Sequence, residues 1–151
     1  MRQKYYLISG LFAIIWIILI SGCVKQIPQG SAITGNLGIP FQLKINQVAS
    51  IESENLKIKF LNITEDSRCP SDEGLDYRIN CVWAGQATVV VNILKNNQNL
   101  GDFSLESRTA DSAVKNFDRY SIKLTKVEPY PKGGQTIELS DYIVTIIVSK
   151  I

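Results

Sequence analysis

From Phe41 to the C-terminus, short alternating or β-branched apolar runs are separated by turn residues, with no convincing amphipathic helix. "FQLKINQV" (41–48) sets Phe41, Leu43 and Ile45 against polar partners. "LKIKFLNI" (56–63) turns Leu56, Ile58 and Phe60 one way and Lys57 and Lys59 the other. A period of two puts alternate side chains on opposite faces of a strand, so each run has one face to bury. "QATVVVNIL" (86–94) is rich in β-branched residues, "NNQN" (96–99) supplies a turn and "LGDFSLES" (100–107) follows, which predicts an antiparallel hairpin. Beyond a polar stretch near Thr109 to Asn116, "FDRYSIKLTKVEP" aligns Tyr120, Ile122 and Leu124. "YPKGG" (130–134) then breaks the pattern, and "DYIVTIIVSKI" (141–151) closes the chain. About seven short strands are expected, an all-β domain over 41–151 built as a single antiparallel sandwich, with a small open barrel as the second choice.

The first forty residues read differently. Arg2 and Lys4 precede the apolar run "LISGLFAIIWIILI" (7–20), the layout of an export signal. The run ends in "ISGC" (20–23), which resembles the lipobox of prokaryotic lipoproteins. That resemblance implies a signal over 1–22 and acylation of Cys23 as the first mature residue. Acyl chains contribute about 0.8 kcal/mol per buried methylene, so two or three of them hold a domain on a membrane stably. An uncleaved transmembrane anchor is the competing reading, because Leu7 to Val24 reaches the lower limit of a spanning length. Either way, the positive residues stay inside and the rest of the chain is extracytoplasmic. "VKQIPQGSAITGNLGIP" (24–40), with two prolines and three glycines, reads as a flexible tether.

Composition narrows the chemistry. The chain has no histidine, which excludes serine–histidine and cysteine–histidine catalysis and the usual imidazole metal sites. Only carboxylate chemistry survives among common hydrolytic mechanisms, and the acids are scattered over loops and outward strand positions. Removing Arg2 and Lys4 with the signal leaves 14 basic residues against 14 acidic ones, without the basic footprint of a nucleic-acid binder. No catalytic residue, metal or cofactor is expected.

The densest stretch is "EDSRCPSDEGLDYRINCVWAGQATVVV" (65–91). Eleven residues separate Cys69 from Cys81, too many for a typical redox pair, and no further soft ligand is present for a metal. Export to an oxidising compartment favours a disulfide, contributing about 3 kcal/mol by closing a loop of this length. Asp66 and Ser67 suit a turn, with Arg68 free to pair with Asp66, Glu65 or the loop acids. Trp83 stands two residues after Cys81. On an extended strand the two would share a face, and the core is the expected place for the indole. Gly85 reads as a bulge or a close backbone approach. The loop acids Asp72, Glu73 and Asp76 surround Gly74 without a calcium-loop register and read as solvated. Asp72, Asp76, Tyr77 and Arg78 form a candidate binding loop, since Tyr and Arg are favoured at interfaces. Asn62-Ile63-Thr64 fits a glycosylation sequon.

"EDSRCP" followed by a second cysteine and "VWAGQATVVV" resembles a signature of small prokaryotic envelope lipoproteins, DSRCP…C-x-W-A-G-x-A. "VEPYP" and "DYIVTIIV" are similar to the proline-containing segment and last strand of those proteins. Their cysteines stand closer together, so "DEGLDYRIN" reads as an insertion here. The resemblance implies an envelope location and transfers no activity. The expected function is therefore a lipid-anchored, non-catalytic binding or envelope-structural module, its sandwich immunoglobulin-like or related. Its partners would be the membrane and a cell-surface protein or glycan, with no nucleic acid. An exported protease inhibitor of the chagasin type is the alternative, and a carboxylate enzyme the third choice.

Overall fold

A computed structural model describes residues 31–151. The expected signal, Cys23 with its expected acylation and the first part of the expected tether lie outside these residues. Among the described residues nine strands form two sheets. They are β1 (Ala32–Thr34), β2 (Phe41–Lys44), β3 (Val48–Ile51), β4 (Leu56–Asp66), β5 (Ala87–Lys95), β6 (Gln98–Glu106), β7 (Val114–Phe117), β8 (Tyr120–Glu128) and β9 (Ile143–Lys150). One sheet has the order β1-β3-β4-β5-β6 and the other β2-β9-β8-β7. The open sheets pack face to face as a sandwich rather than closing into a barrel. Among the described residues no helix is long and apolar enough to cross a membrane.

The alternation read from the sequence builds the core. Leu56, Ile58 and Phe60 of β4 and Val89, Val91 and Ile93 of β5 are fully buried, facing Ile122 of β8 and Val144, Ile146 and Val148 of β9. Each aliphatic side chain buried this way contributes about 1.5–3 kcal/mol. The β5–β6 hairpin forms as the sequence implies, turning through Asn96 and Asn97 at φ 50° and 63°. Asparagine tolerates that left-handed region better than most residues, which suits a two-residue hairpin.

Two expectations are corrected. "FQLKINQV" is not one strand: Asn46, at φ 63°, turns the chain so that β2 pairs with β9 in one sheet and β3 with β4 in the other. The backbone N–H of Lys44 donates to Gln47 Oε1 and that of Gln47 to the Lys44 carbonyl, closing the turn. The domain also begins before Phe41. Ala32–Thr34, expected in the tether, pairs in parallel with Val48–Ser50, and Gly35 lies under the Phe41 ring and Ile51.

Candidate functional site

β4 ends at Asp66 opposite the start of β5 at Ala87, and β8 ends at Glu128 opposite the start of β9 at Ile143. The connections 67–86 and 129–142 therefore emerge from the same end of the sandwich. Both partner strands are bulged on the way, β4 between Phe60 and Glu65 and β8 between Leu124 and Lys126. Bulges bend and twist strands near functional ends of sheets.

Arg68 ties these connections together. Its guanidinium donates from Nε to Asp66 Oδ1 at 2.7 Å and from Nη2 to Asp66 Oδ2 at 2.6 Å. The remaining donors reach across to the other sheet's connection, Nη1 to the Val127 carbonyl at 2.7 Å and Nη2 to the Pro129 carbonyl at 2.9 Å. The Tyr130 ring lies 5.2 Å from the guanidinium carbon, beyond the cis Glu128–Pro129 bond. Among the described residues Arg68 is the one charged residue buried in the domain. A buried charge needs both a counterion and filled donors, and here Asp66 and two carbonyls supply them. The Tyr142 hydroxyl completes the group by donating to Asp66 Oδ2 at 2.8 Å. Burial opposes the Asp66 charge, but the bonds from Arg68 and Tyr142 outweigh it and hold the carboxyl below its ordinary range. Burial, together with the bond to that carboxylate, pushes the Tyr142 phenol up to about 12.

Cys69 and Cys81 form a disulfide, with their Cα atoms 5.9 Å apart. The loop it closes is docked rather than free. The Ser71 N–H donates to the Pro131 carbonyl at 2.9 Å and the Gly133 N–H to the Ser71 carbonyl at 2.9 Å. Lys132 pairs with Glu73 at 2.8 Å, which lowers the Glu73 pKa through the hydrogen bond first and the nearby charge second. A Cβ on Gly133 would fall 2.5 Å from the terminal carbons of both Leu75 and Ile79, so the glycine makes room for the loop's apolar side chains.

Past the disulfide, the Cys69 N–H donates to the Ala84 carbonyl and the Ser67 N–H to the Gln86 carbonyl, both at 2.8 Å. Gly85 stands between them at φ 66°, where a Cβ would lie 1.7 Å from the Ser67 carbonyl oxygen. This close approach admits no side chain.

Trp83 departs from its expected place in the core. Its side chain is 82% exposed, and Val82 beside it is 90% exposed. The spacing argument assumed an extended strand from Cys81, whereas strand geometry begins only at Ala87. The candidate loop residues Asp72, Asp76, Tyr77 and Arg78 are all exposed, Tyr77 at 64%. Tyr130, exposed at 54%, joins them at this end and carried no signal in the sequence, because its partner Arg68 is 62 positions away. Beside Tyr130 a shallow groove of about 180 Å³ runs along Gln135, Thr136, Ile137 and Asp141.

The opposite end has a different character. Glu54 pairs with Lys150 at 2.6 Å and accepts the Tyr120 hydroxyl at 2.5 Å. Lys95 Nζ donates to the Tyr120 hydroxyl at 2.9 Å and to the Glu54 carbonyl, and lies over the Tyr120 ring. The bonds from Lys150 and Tyr120 lower the Glu54 pKa. Next to this cluster lies an open polar depression of about 530 Å³ lined by Ser50, Glu52, Asn55, Lys57, Asn96 and Asn97. Among the described residues no three cysteine or acidic side chains converge as a metal site would require.

No protein-family model, no curated protein and no solved structure matches the chain.

Proposed function

We propose that this protein is a lipid-anchored, extracytoplasmic binding or envelope-structural module whose working surface is the disulfide-braced end of an immunoglobulin-like or related sandwich. The observation that carries the reading is the display of Tyr77, Arg78 and Tyr130 on loops fixed by a disulfide, a buried Arg68 and paired backbone. Surface aromatics on a rigid frame bind at low entropic cost, because little of the surface must be ordered on contact. The disulfide fits an oxidising location. The lipobox-like "ISGC", the DSRCP signature and Cys23 acylation belong to the same reading. A non-catalytic role is supported by the acids. Asp66, Glu73 and Glu54 are engaged as ion-pair partners of Arg68, Lys132 and Lys150.

Quantitative crosslinking of the protein in intact envelopes tests this. Replacing Tyr77 and Arg78 by alanine should abolish a specific crosslinked partner while leaving the melting temperature unchanged. An unchanged crosslinking pattern would sink the reading. A protease inhibitor of the chagasin type is the second reading, favoured by exposed Tyr77 and Arg78 beside the 129–134 loop at the same end. A panel of papain-like proteases left uninhibited by the purified protein removes it.

A further inference from the structure

We infer that Val82 and Trp83 form a second membrane contact, seating the disulfide-braced end of the sandwich on the bilayer that holds the lipid. The inference rests on the lipid-anchor reading and adds a face and an orientation to it.

Three observations converge. First, these adjacent residues are the most exposed large apolar side chains among the described residues. They are braced on either side by the Cys69–Cys81 bridge and by the Ser67 and Cys69 N–H bonds to Gln86 and Ala84. A tip fixed in advance loses little freedom on insertion, and tryptophan favours the boundary between acyl chains and headgroups.

Second, the connection to the lipid is short. Gln47 Nε2 donates to Ser31 Oγ at 3.3 Å, and the Phe60 N–H donates to the Gln47 carbonyl. Ser31 therefore sits level with Phe60. Eight residue steps from Cys23 to Ser31 span at most about 28 Å even when fully extended. Phe60 pairs with Val91 and Asp66 with Ala87, four steps along β5, so the sheet rises only about 13 Å from this level to the disulfide loop. A connection this short keeps the disulfide end within reach of the bilayer that holds the lipid. β1 also runs parallel to β3 and so antiparallel to β4, which means the chain arrives at Ala32 from the disulfide end.

Third, the chemistry of the two ends decides between them, since the connection reaches either. Apart from the single exposed side chains of Ile39 and Ile151, the far end presents the Glu54–Lys150 pair and the asparagine-lined depression. Only the near end carries consecutive apolar residues with further tyrosines around them. Asp72, Glu73 and Asp76 outnumber Arg78 in its loop, so the surface suits zwitterionic rather than strongly anionic headgroups.

The test uses the full-length protein as extracted from its membrane, reconstituted in phosphatidylcholine vesicles, with Trp83→Phe as the reference. Trp16 and Trp83 are the two tryptophans of the chain, so the difference between the two proteins isolates Trp83. Its emission should shift to shorter wavelength, be quenched by lipids brominated on the upper acyl chain, lose quenching by aqueous iodide and be unaffected by added salt. Val82→Asp should restore iodide quenching. Water-like emission with silent bromolipids overturns the inference. So does shielding that develops only when other envelope proteins are present, which would give the tip to a protein. The mass of the Cys23 peptide from the same sample reports the anchor separately. Acylated Cys23 with an aqueous Trp83 leaves the anchor standing and removes the membrane seat.

Discussion

Arg68 and Gly85 show how single positions govern the disulfide end. Arg68 offers a planar fork that satisfies Asp66 and two carbonyls from the facing connection at once. A lysine keeps the charge and loses that geometry, so Arg68→Lys should destabilise the domain by about 3 kcal/mol in urea denaturation, close to the cost of breaking a buried pair. Gly85→Ala puts a methyl group into the Ser67 carbonyl and should cost about 2–4 kcal/mol by the same measurement. The Asp66–Tyr142 pair contributes at both pH extremes. Asp66 titrates lower folded than unfolded, so its contribution is present above the ordinary carboxylate range and lost as pH falls through the lower folded value. Tyr142 titrates higher folded, at about 12, so its contribution is complete below about 10 and lost as pH rises through the folded value. Asp66→Asn should flatten the acid limb of a stability–pH curve, and Tyr142→Phe the alkaline limb.

Among the elements, the disulfide loop and the strands around it respond separately to change. The bridge lies outside both sheets, and the loop is held again through Ser71 and Glu73 against Pro131, Lys132 and Gly133. Replacing both cysteines by serine should therefore cost about 3 kcal/mol while hydrogen exchange in β5 and β9 stays slow and that in residues 70–81 becomes fast. Which elements were readable in advance follows from the range of their causes. β4 and β8 were legible from a period-two pattern with its burial written locally, and β5, β6 and β9 from β-branched or apolar runs beside turn residues. The break between β2 and β3 was not, because one left-handed asparagine inside an unbroken alternation sends the strand to another sheet. β1 was hidden for a related reason: three residues with partners sixteen positions later carry no pattern of their own. At the candidate site, the cysteine pairing was legible from export and elimination. The exposure of Trp83 was not, because it depends on where β5 starts, and the Arg68 contacts with Val127 and Pro129 link residues about sixty positions apart.

Across the whole molecule, each end has a polar strap between the two sheets. Arg68 crosses at the disulfide end, and the cluster of Glu54, Lys95, Tyr120 and Lys150 crosses at the other, joining β5 and the turn after β3 to β8 and β9. Lys150 is half exposed, and its pair with Glu54 contributes little on its own. The Tyr120 hydroxyl is the linking atom, so Tyr120→Phe should lower stability by about 1–2 kcal/mol, read from the shift in urea midpoint, while Lys150→Ala changes it by less than about 1 kcal/mol. A drop from Lys150→Ala larger than that from Tyr120→Phe would contradict this assignment. The position of β1 bears on how the body carries load. Tension applied at Ser31 along the strand axis, toward the disulfide end, strains all three β1–β3 residue pairs together. The same force directed sideways, away from β3, opens them one after another. The resistance of the attachment point therefore depends on the angle of pull. A body dragged upright by its N-terminus keeps its first strand at forces that would peel it from one lying on its side.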